Sequence, residues 1–252
     1  MTLNKIRTFC NRVFKGFAKV FGTMRLFVRR LRMGYNPLRV SKGNRKLKAC
    51  KETKFLVWNL PAQKTCPFRT AHCSHDCYAC KAEKAYPGCL PAREDNFAQT
   101  FRRDFVFRMV QTIEENAEIK SWRNATRVVV RIHESGDFYS KAYAMKWLAI
   151  ARQVKADGFD NVIFMAYTKS LPFFEGETIP DNFKIRASIW DDTKPELVEM
   201  SRKYNIYTAY DRETIDRMKA DGVDFHECRC EDCGTCNECW SDNHKLIVCE
   251  IH

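Results

Sequence analysis

TRVVVRIHESGDFYS, residues 126–140, contains the pattern on which the prediction of the fold depends. Its first eight residues have a nearly continuous apolar centre, which is typical of a strand buried on both faces of a sheet. A glycine-containing turn follows, and apolar residues then recur at helical spacing over residues 139–154. A buried strand, a turn and a helix in this order indicate one unit of a parallel α/β sheet.

The same alternation extends over most of the chain. KFLVWNL at 54–60 predicts a strand that Pro61 ends. Further strands are predicted at 161–167, 183–189 and 206–209, and helices from 79–85, at 95–118, 195–203 and 213–220. Five or six strands alternating with helices predict an α/β fold, with a parallel sheet or an incomplete (β/α) barrel. Ligands of such folds bind at the carboxyl ends of strands. The polar residues there are candidates to line a cavity, and the alternative for each is a structural role. They are Tyr167, Lys169, Arg186 and Tyr210.

A cysteine-rich segment directly follows the first predicted strand. Residues 65–83, TCPFRTAHCSHDCYACKAE, contain Cys66, Cys73, Cys77 and Cys80. The last three have the spacing C-x3-C-x2-C, which lets one short loop ligate an iron–sulfur cube through three thiolates and leave the fourth iron without a protein ligand. We therefore expect a [4Fe-4S] cluster at the end of this strand.

A second group of cysteines lies near the C-terminus, in HECRCEDCGTCNECW at 226–240. Cys230, Cys233, Cys236 and Cys239 are separated by two residues each, as in the run that binds a cubane in ferredoxins. Zinc sites usually join two C-x2-C pairs across a longer loop, so the spacing favours a second [4Fe-4S] cluster, with zinc as the alternative. Such a centre would either relay electrons to the first cluster or only stabilise this segment.

Positive charge is concentrated at the N-terminus. The net charge is +12, but the first 50 residues hold 14 of the 43 Lys and Arg residues and no Asp or Glu. Apolar residues at steps of three and four predict a basic amphipathic helix over residues 6–31. It would pack on the core or remain partly ordered, bind nucleic acid, or lie on an anionic membrane. The domains expected are a basic arm and linker at 1–51, an α/β cluster-binding domain at 52–225 and a cysteine-rich metal-binding tail at 226–252.

The thirteen cysteines indicate metal binding rather than disulfides. The N-terminus has no uninterrupted apolar core followed by a small-residue cleavage site, and no apolar run approaches the roughly 18–20 residues of a transmembrane helix. Clustered C-x2-C spacings in such a chain are typical of metal sites in a reducing compartment. We expect a cytoplasmic protein without a transmembrane segment.

These motifs resemble two known groups of proteins. The C-x3-C-x2-C loop resembles the radical SAM signature, although an aromatic residue usually precedes the third cysteine there; here Ala79 does, with the candidate cofactor contact Tyr78 one place earlier. Over roughly residues 40–252 the chain resembles the phage gene product 88 family, in which the matching cysteines are Cys66, Cys73 and Cys77. The third ligand of the first cluster is thus either Cys66 or Cys80. The family motifs are NLPA-x-KTCP at 59–67, C-x3-CYA-x-KAE at 73–83, SGDFYS at 135–140, AYTKS at 166–170, and a cysteine ladder ending in Trp240.

The radical SAM resemblance implies a cofactor and a reaction. The free iron would bind S-adenosylmethionine, and an electron from an external donor would cleave its sulfonium bond to form a deoxyadenosyl radical that acts on an unknown substrate. Radical SAM proteins hold the methionyl amine at a glycine-rich turn after the second strand, which Glu134, Ser135, Gly136 and Asp137 resemble. Asp137 would accept the ammonium group, or Glu134 if the turn points the other way. The alternative is that Ser135 or Asp137 caps the following helix.

Two other functions fit the cysteines. The first is a nucleic-acid-binding protein in which both cysteine groups bind structural metal and the basic arm contacts phosphates. The second is an electron-transfer protein with two clusters and no S-adenosylmethionine, but this function leaves the glycine-containing turn unexplained.

Overall fold

The computed structural model describes residues 36–44, 46–47, 50, 52–118, 126–229 and 232–251. The predicted amphipathic helix at 6–31 and the predicted ligand Cys230 lie outside these ranges. No helix within them is long and apolar enough to cross a membrane.

A curled, all-parallel sheet of seven strands forms the centre of the described chain, which confirms the α/β prediction. The strands are β1 (Thr53–Trp58), β2 (Arg127–Ile132), β3 (Val162–Thr168), β4 (Phe183–Ser188), β5 (Asn205–Tyr210), β6 (His226–Cys228) and β7 (Leu246–Glu250). Their spatial order is β1-β2-β3-β4-β5-β7-β6, so the sheet is open, with β1 and β6 at its edges. Since all seven strands are parallel, the loops that follow β1 to β4 meet at one edge, which we call the carboxyl edge.

Helices connect the strands. They are α1 (Ala71–His75), α2 (Tyr78–Ala85), α3 (Cys89–Thr100), α4 (Phe105–Glu118), α5 (Lys141–Ala156), α6 (Pro195–Ser201), α7 (Arg212–Ala220) and α8 (Cys233–Cys236), with a 3₁₀ turn at Leu171–Phe174. The single helix predicted at 95–118 is wrong, because α3 ends at Thr100 and α4 begins at Phe105. The buried Thr100 hydroxyl bonds the Phe97 carbonyl at 2.6 Å and the Tyr139 hydroxyl at 2.8 Å, and such a side-chain bond competes with continuation of the helix.

The two faces of the sheet bury different partners. On one face, alternate residues of the strands, such as Leu56 and Val130, pack with Phe105 of α4 and Trp147 of α5 in the larger core. On the other face, residues of β1 to β3 pack with the C-terminal segment. The strand residues are Phe55, Val57, Val129 and Met165, and those of the segment are Cys239, Trp240 and Ile247. The Phe55 and Trp240 rings meet edge to face with centroids 5.6 Å apart. The C-terminal segment therefore covers one face of the sheet.

The segment predicted as a cysteine-rich tail also adds strands to the sheet. β7 pairs with β5, with Tyr207 opposite Ile247 and Thr208 opposite Val248, and β6 pairs with β7. The sequence prediction contained neither strand. Both are short, and β6 has only three residues, so neither gives a clear periodic signal.

Candidate metal and cofactor site at the carboxyl edge

The loop that follows β1 brings three of the predicted ligands to the carboxyl edge. We call residues 61–77 the cysteine loop. It turns at once after β1, since the buried Thr65 hydroxyl bonds the Pro61 carbonyl at 2.7 Å and the Cys66 amide bonds the Gln63 carbonyl at 3.1 Å. Cys73 lies in α1, whose N-cap Thr70 accepts a hydrogen bond from the Cys73 amide at 3.1 Å. Cys77 is the N-cap residue of α2.

Electrostatic interactions link the Cys66, Cys73 and Cys77 thiols to one another. Burial raises the pKa of Cys66 well above its usual range, and the charges of Asp137, Cys73 and Cys77 add to this. Burial also raises the pKa of Cys73, with Cys77 and Asp137 adding to it, whereas the positive charge of Lys169 lowers it. The three cysteines therefore lie within electrostatic reach of one another, and the raised pKa values of Cys66 and Cys73 favour their neutral thiols when no metal is bound. Because thiolates are the ligands, metal binding here would release protons.

Cys80 has different surroundings from the other three. Burial raises its pKa to about 11, helped by a hydrogen bond with Cys77, and the nearby charges are Glu83 and Lys84 on its own helix. Electrostatic interactions therefore link Cys66 to both Cys73 and Cys77, whereas Cys80 is linked to Cys77 by a hydrogen bond.

The turn after β2 packs against the start of the cysteine loop. We call residues 133–137 the glycine turn. The Asn59 side-chain oxygen accepts hydrogen bonds from the Glu134 amide at 2.8 Å and the Ser135 amide at 3.1 Å, and the Ser135 hydroxyl bonds the Leu60 carbonyl at 2.8 Å. These bonds tie the glycine turn to the end of β1.

Gly136 is required at this contact. Its φ is +81°, and a Cβ atom built there would lie 2.5 Å from the Thr65 hydroxyl oxygen and 2.7 Å from the Leu60 Cβ. Any other residue would meet both the left-handed backbone and the start of the cysteine loop. Gly136 thus shapes the site without offering a side chain to a ligand.

The Asp137 carboxylate is bonded to the end of β3. It accepts hydrogen bonds from the Thr168 hydroxyl, from the Lys169 amide at 3.0 Å and from the Phe138 amide at 2.7 Å, and the residue is only 7% exposed. Burial raises its pKa, and these bonds lower it. The carboxylate fixes β2 against β3, and its negative charge raises the pKa of Cys66 and of Cys73. The alternative of a cap by Ser135 or Asp137 is wrong, because Ser140 caps α5 through the Tyr143 amide.

Glu134 is the more accessible of the two predicted ammonium acceptors. Its carboxylate accepts bonds from the side-chain amides of Asn44 and Asn59, and the residue is half-buried. Its backbone carbonyl accepts a hydrogen bond from the hydroxyl of Tyr78, whose ring is otherwise exposed. Tyr78 and Glu134, both predicted cofactor contacts, are therefore neighbours where α2 meets the glycine turn.

Lys169 places a buried amine beside the thiols. The residue is 5% exposed, and its Nζ donates to the Ser188 carbonyl at 2.9 Å and the Ser188 hydroxyl at 3.2 Å. The Nζ also lies 5.3 Å from the centre of the Trp190 ring. Burial lowers the pKa of Lys169 to about 8, against the opposing charges of Cys73, Asp137, Asp192 and Cys66. A positive charge at this point favours thiolates over thiols.

A contact absent from the sequence prediction joins the cysteine loop to the end of β4. His72 Nδ1 lies 2.9 Å from an Asp191 carboxylate oxygen, and the His72 amide donates to Asp192 at 2.8 Å. The His72 ring packs edge to face on Trp190 with centroids 4.8 Å apart. The hydrogen bond to Asp191 raises the pKa of His72. This contact holds α1, and with it Cys73, against the carboxyl edge.

The described cysteines of the C-terminal ladder have separate surroundings. Cys239 is buried and accepts a hydrogen bond from the Tyr167 hydroxyl, Cys233 packs against the second core, and Cys236 is exposed beside His226. Among the described residues, the groups of three ligand atoms within 4.8 Å of one another contain no cysteine; they are His226–Glu238–His244 and His72–Asp191–Asp192. Two thiolates on one zinc ion are about 3.8 Å apart. Neither the three cysteines of the cysteine loop nor the three described cysteines of the ladder lie as close together as a single tetrahedral ion requires.

Other predicted cavity residues have structural contacts. Arg186 is 1% exposed, and its guanidinium bonds four backbone carbonyls of the C-terminal segment. The Tyr167 ring stacks on Tyr207 with centroids 4.4 Å apart and lies 3.7 Å from the Arg131 guanidinium carbon. Of the described candidates, Lys169 is the one whose charge acts on the cysteine loop.

A comparison with protein families identifies one match. The gene product 88 family model matches residues 38–245, which include the whole cysteine loop, the glycine turn and most of the C-terminal cysteine segment. A search of the curated proteins and a search of the solved structures each found no match to the chain. The match covers well over half of the sequence, and the chain belongs to the gene product 88 family.

Proposed function

We propose that this protein binds a [4Fe-4S] cluster through Cys66, Cys73 and Cys77 and uses it to cleave S-adenosylmethionine reductively in order to act on a further substrate. One observation carries the proposal. Three thiols of a single loop lie within electrostatic reach of one another at the carboxyl edge of an open, parallel α/β sheet. Three ligands are one fewer than the irons of a cube, which leaves one iron for a small molecule.

The residues around the thiols suit such a cofactor. Lys169 offers a positive charge that offsets part of the cost of burying thiolates, as its lowering of the Cys73 pKa indicates. The Glu134 carboxylate is half-buried and can accept a hydrogen bond from an amino acid ammonium group. The exposed Tyr78 ring, fixed by its hydroxyl bond to Glu134, offers an apolar surface for an adenine or a methyl group.

When bound, the cluster would supply the electron that breaks the sulfonium bond of S-adenosylmethionine. Glu134 would hold the methionyl group, and Gly136, having no side chain, would leave room for the cysteine loop to pack on it. The buried Asp137 and Lys169 would limit the access of water to the site. The Asp137 carboxylate, bonded to Thr168 and the Lys169 amide, would keep β2 and β3 in register at the site rather than bind the ammonium group itself.

Anaerobic reconstitution with iron and sulfide tests the proposal. We expect a brown protein that forms 5′-deoxyadenosine from S-adenosylmethionine under dithionite. Cys73→Ser and Cys66→Ser should lose the iron of the first cluster, whereas Cys80→Ser should retain it. Cys89→Ser is the matched control, since Cys89 lies at the start of α3 outside the cysteine loop. Iron retained by Cys66→Ser and lost by Cys80→Ser would contradict the proposed ligand set.

A metal-stabilised nucleic-acid-binding protein is the second candidate. The 14 basic residues without an acidic one in the first 50 positions favour it. This function predicts a colourless protein with stoichiometric zinc and salt-sensitive binding of nucleic acid that deletion of residues 1–35 abolishes. Unchanged binding after the deletion would exclude the arm as the contact surface. In either case the C-terminal segment would hold a second [4Fe-4S] cluster on the cysteine ladder or a zinc ion, and a loss of iron in Cys233→Ser would identify the cluster.

A further inference from the structure

Two histidines and a glutamate come together at the amino ends of β6 and β7, and a cysteine lies beside one of the histidines. Ligand atoms of His226, Glu238 and His244 all lie within 4.8 Å of one another. Cys236 Sγ lies 3.3 Å from His226 Nε2, and a Glu238 carboxylate oxygen lies 2.8 Å from His244 Nδ1. The two imidazole rings have centroids 5.5 Å apart. The sequence prediction placed the metal of this segment on four cysteines, of which only Cys236 belongs to this group.

The surrounding fold holds these four residues in place. His226 is the first residue of β6 and pairs with Ile247 of β7. Cys236 ends α8, whose N-cap Asp232 accepts a hydrogen bond from the Gly234 amide at 3.0 Å. The next residue, Asn237, has a left-handed φ of 64° and turns the chain so that Glu238 follows beside the histidines.

A buried arginine fixes the loop that carries Glu238 and His244. Arg186 of β4 donates to the carbonyls of Glu238, of Cys239 at 2.9 Å, of Ser241 at 3.0 Å and of His244 at 3.1 Å. Four hydrogen bonds from one buried guanidinium hold both ends of residues 238–244 before any ligand is present. Such preorganisation is expected of a binding site and lowers the entropy that binding costs.

We propose that His226, Cys236, Glu238 and His244 form a structural zinc site. Imidazole nitrogen, thiolate sulfur and carboxylate oxygen are the ligands that zinc takes in its four-coordinate sites. Magnesium and calcium prefer oxygen ligands alone, so this mixed set selects a transition metal.

The position of the site indicates a stabilising role. It lies where β6 begins and before β7 begins, at the end of the sheet opposite to the carboxyl edge that holds the cysteine loop. Strand β6 has three residues and one neighbour in the sheet, so a bound ion would attach this edge strand to the loop that covers the second face. Zinc binding would thereby add to the free energy of unfolding.

Zinc analysis of the full-length protein tests the site. We expect the wild type to bind one more zinc ion per chain than the His226→Ala/His244→Ala double variant. His75→Ala should match the wild type, since the His75 side chain is 85% exposed and lies outside the group. Zinc should raise the thermal unfolding temperature of the wild type and of His75→Ala, but not of the double variant. Equal zinc content in the wild type and the double variant would overturn the proposal.

X-ray absorption at the zinc edge identifies the ligands without removing a histidine. It is measured on Cys73→Ser/Cys77→Ser protein, which keeps thiolates of the cysteine loop out of the signal, and on the wild type in case that variant does not fold. We expect a shell of nitrogen and oxygen with a single sulfur in the variant, and a loss of that sulfur on Cys236→Ser. A shell of sulfur alone in the variant would refute the site and assign the zinc to the cysteine ladder. No bound zinc in the wild type would refute the site outright.

Discussion

Replacing Gly136 with alanine should destabilise the protein and disturb the cysteine loop at the same time. The backbone at Gly136 has a φ of +81°, and an L-residue there costs about 1–2 kcal/mol. The new Cβ would also lie 2.5 Å from the Thr65 hydroxyl oxygen and 2.7 Å from the Leu60 Cβ, and overpacking of this kind costs about 1–3 kcal/mol. We therefore expect Gly136→Ala to lower the free energy of unfolding by about 2–5 kcal/mol.

Gly176→Ala is the matched control for this substitution. Gly176 has a φ of +74°, and a Cβ built there would meet no atom within 4 Å. It should therefore show only the backbone cost of about 1–2 kcal/mol. Urea unfolding monitored by circular dichroism measures both variants, and a shift of the midpoint at constant slope reports stability alone.

The difference between the two variants isolates the contact with the cysteine loop. Because Thr65 precedes Cys66 directly, the iron content of reconstituted Gly136→Ala should fall as well, whereas that of Gly176→Ala should not. Equal destabilisation by both substitutions, with iron content unchanged, would refute the packing of the glycine turn against the cysteine loop.

Three further predictions concern buried ionisable groups in metal-free protein. Burial lowers the pKa of His133 from 6.5 to about 3, so the protein should lose stability as the pH falls from 6.5 towards 3 and the unfolded state takes up a proton. The free energy of unfolding of His133→Gln, measured in urea, should depend less on pH in this range. A pH dependence equal to that of the wild type would contradict this. Lys169→Met should raise the pKa of Cys73 and slow its alkylation, mapped by mass spectrometry, whereas Lys155→Met should not; equal rates would exclude the electrostatic link. Arg186→Met should cost about 3 kcal/mol or more in urea unfolding, because buried carbonyls lose their donors, and a cost below about 1 kcal/mol would contradict that role.

The core strands could be predicted from the sequence because their apolar runs are continuous. TRVVVRIH and KFLVWNL correspond to β2 and β1 within two residues at each end, and the apolar centres pair directly, with Leu56 opposite Val130. Strands with such composition need little tertiary information, since burial on both faces selects apolar residues at every position. The position of the cysteine loop after β1 followed from the same pattern.

Contacts between distant loops could not be predicted in this way. His72 meets Asp192 across 120 residues, and Arg186 meets the His244 carbonyl across 58, and no local pattern reports such pairs. The electrostatic link of Cys66 to Cys73 and Cys77 likewise depends on how the cysteine loop folds after β1, whereas the spacing alone favoured Cys80. The His226, Glu238 and His244 group was missed because the cysteines between them gave the stronger motif.

The electron paramagnetic resonance spectrum of the reduced, reconstituted protein tests the central claim most directly, when it is recorded with and without S-adenosylmethionine. If Cys66, Cys73 and Cys77 hold a cube with one iron open to a ligand, the wild type and Cys80→Ser should both give a cluster signal that changes when S-adenosylmethionine is added. A signal that does not respond to S-adenosylmethionine, or a colourless protein without a signal, would contradict it.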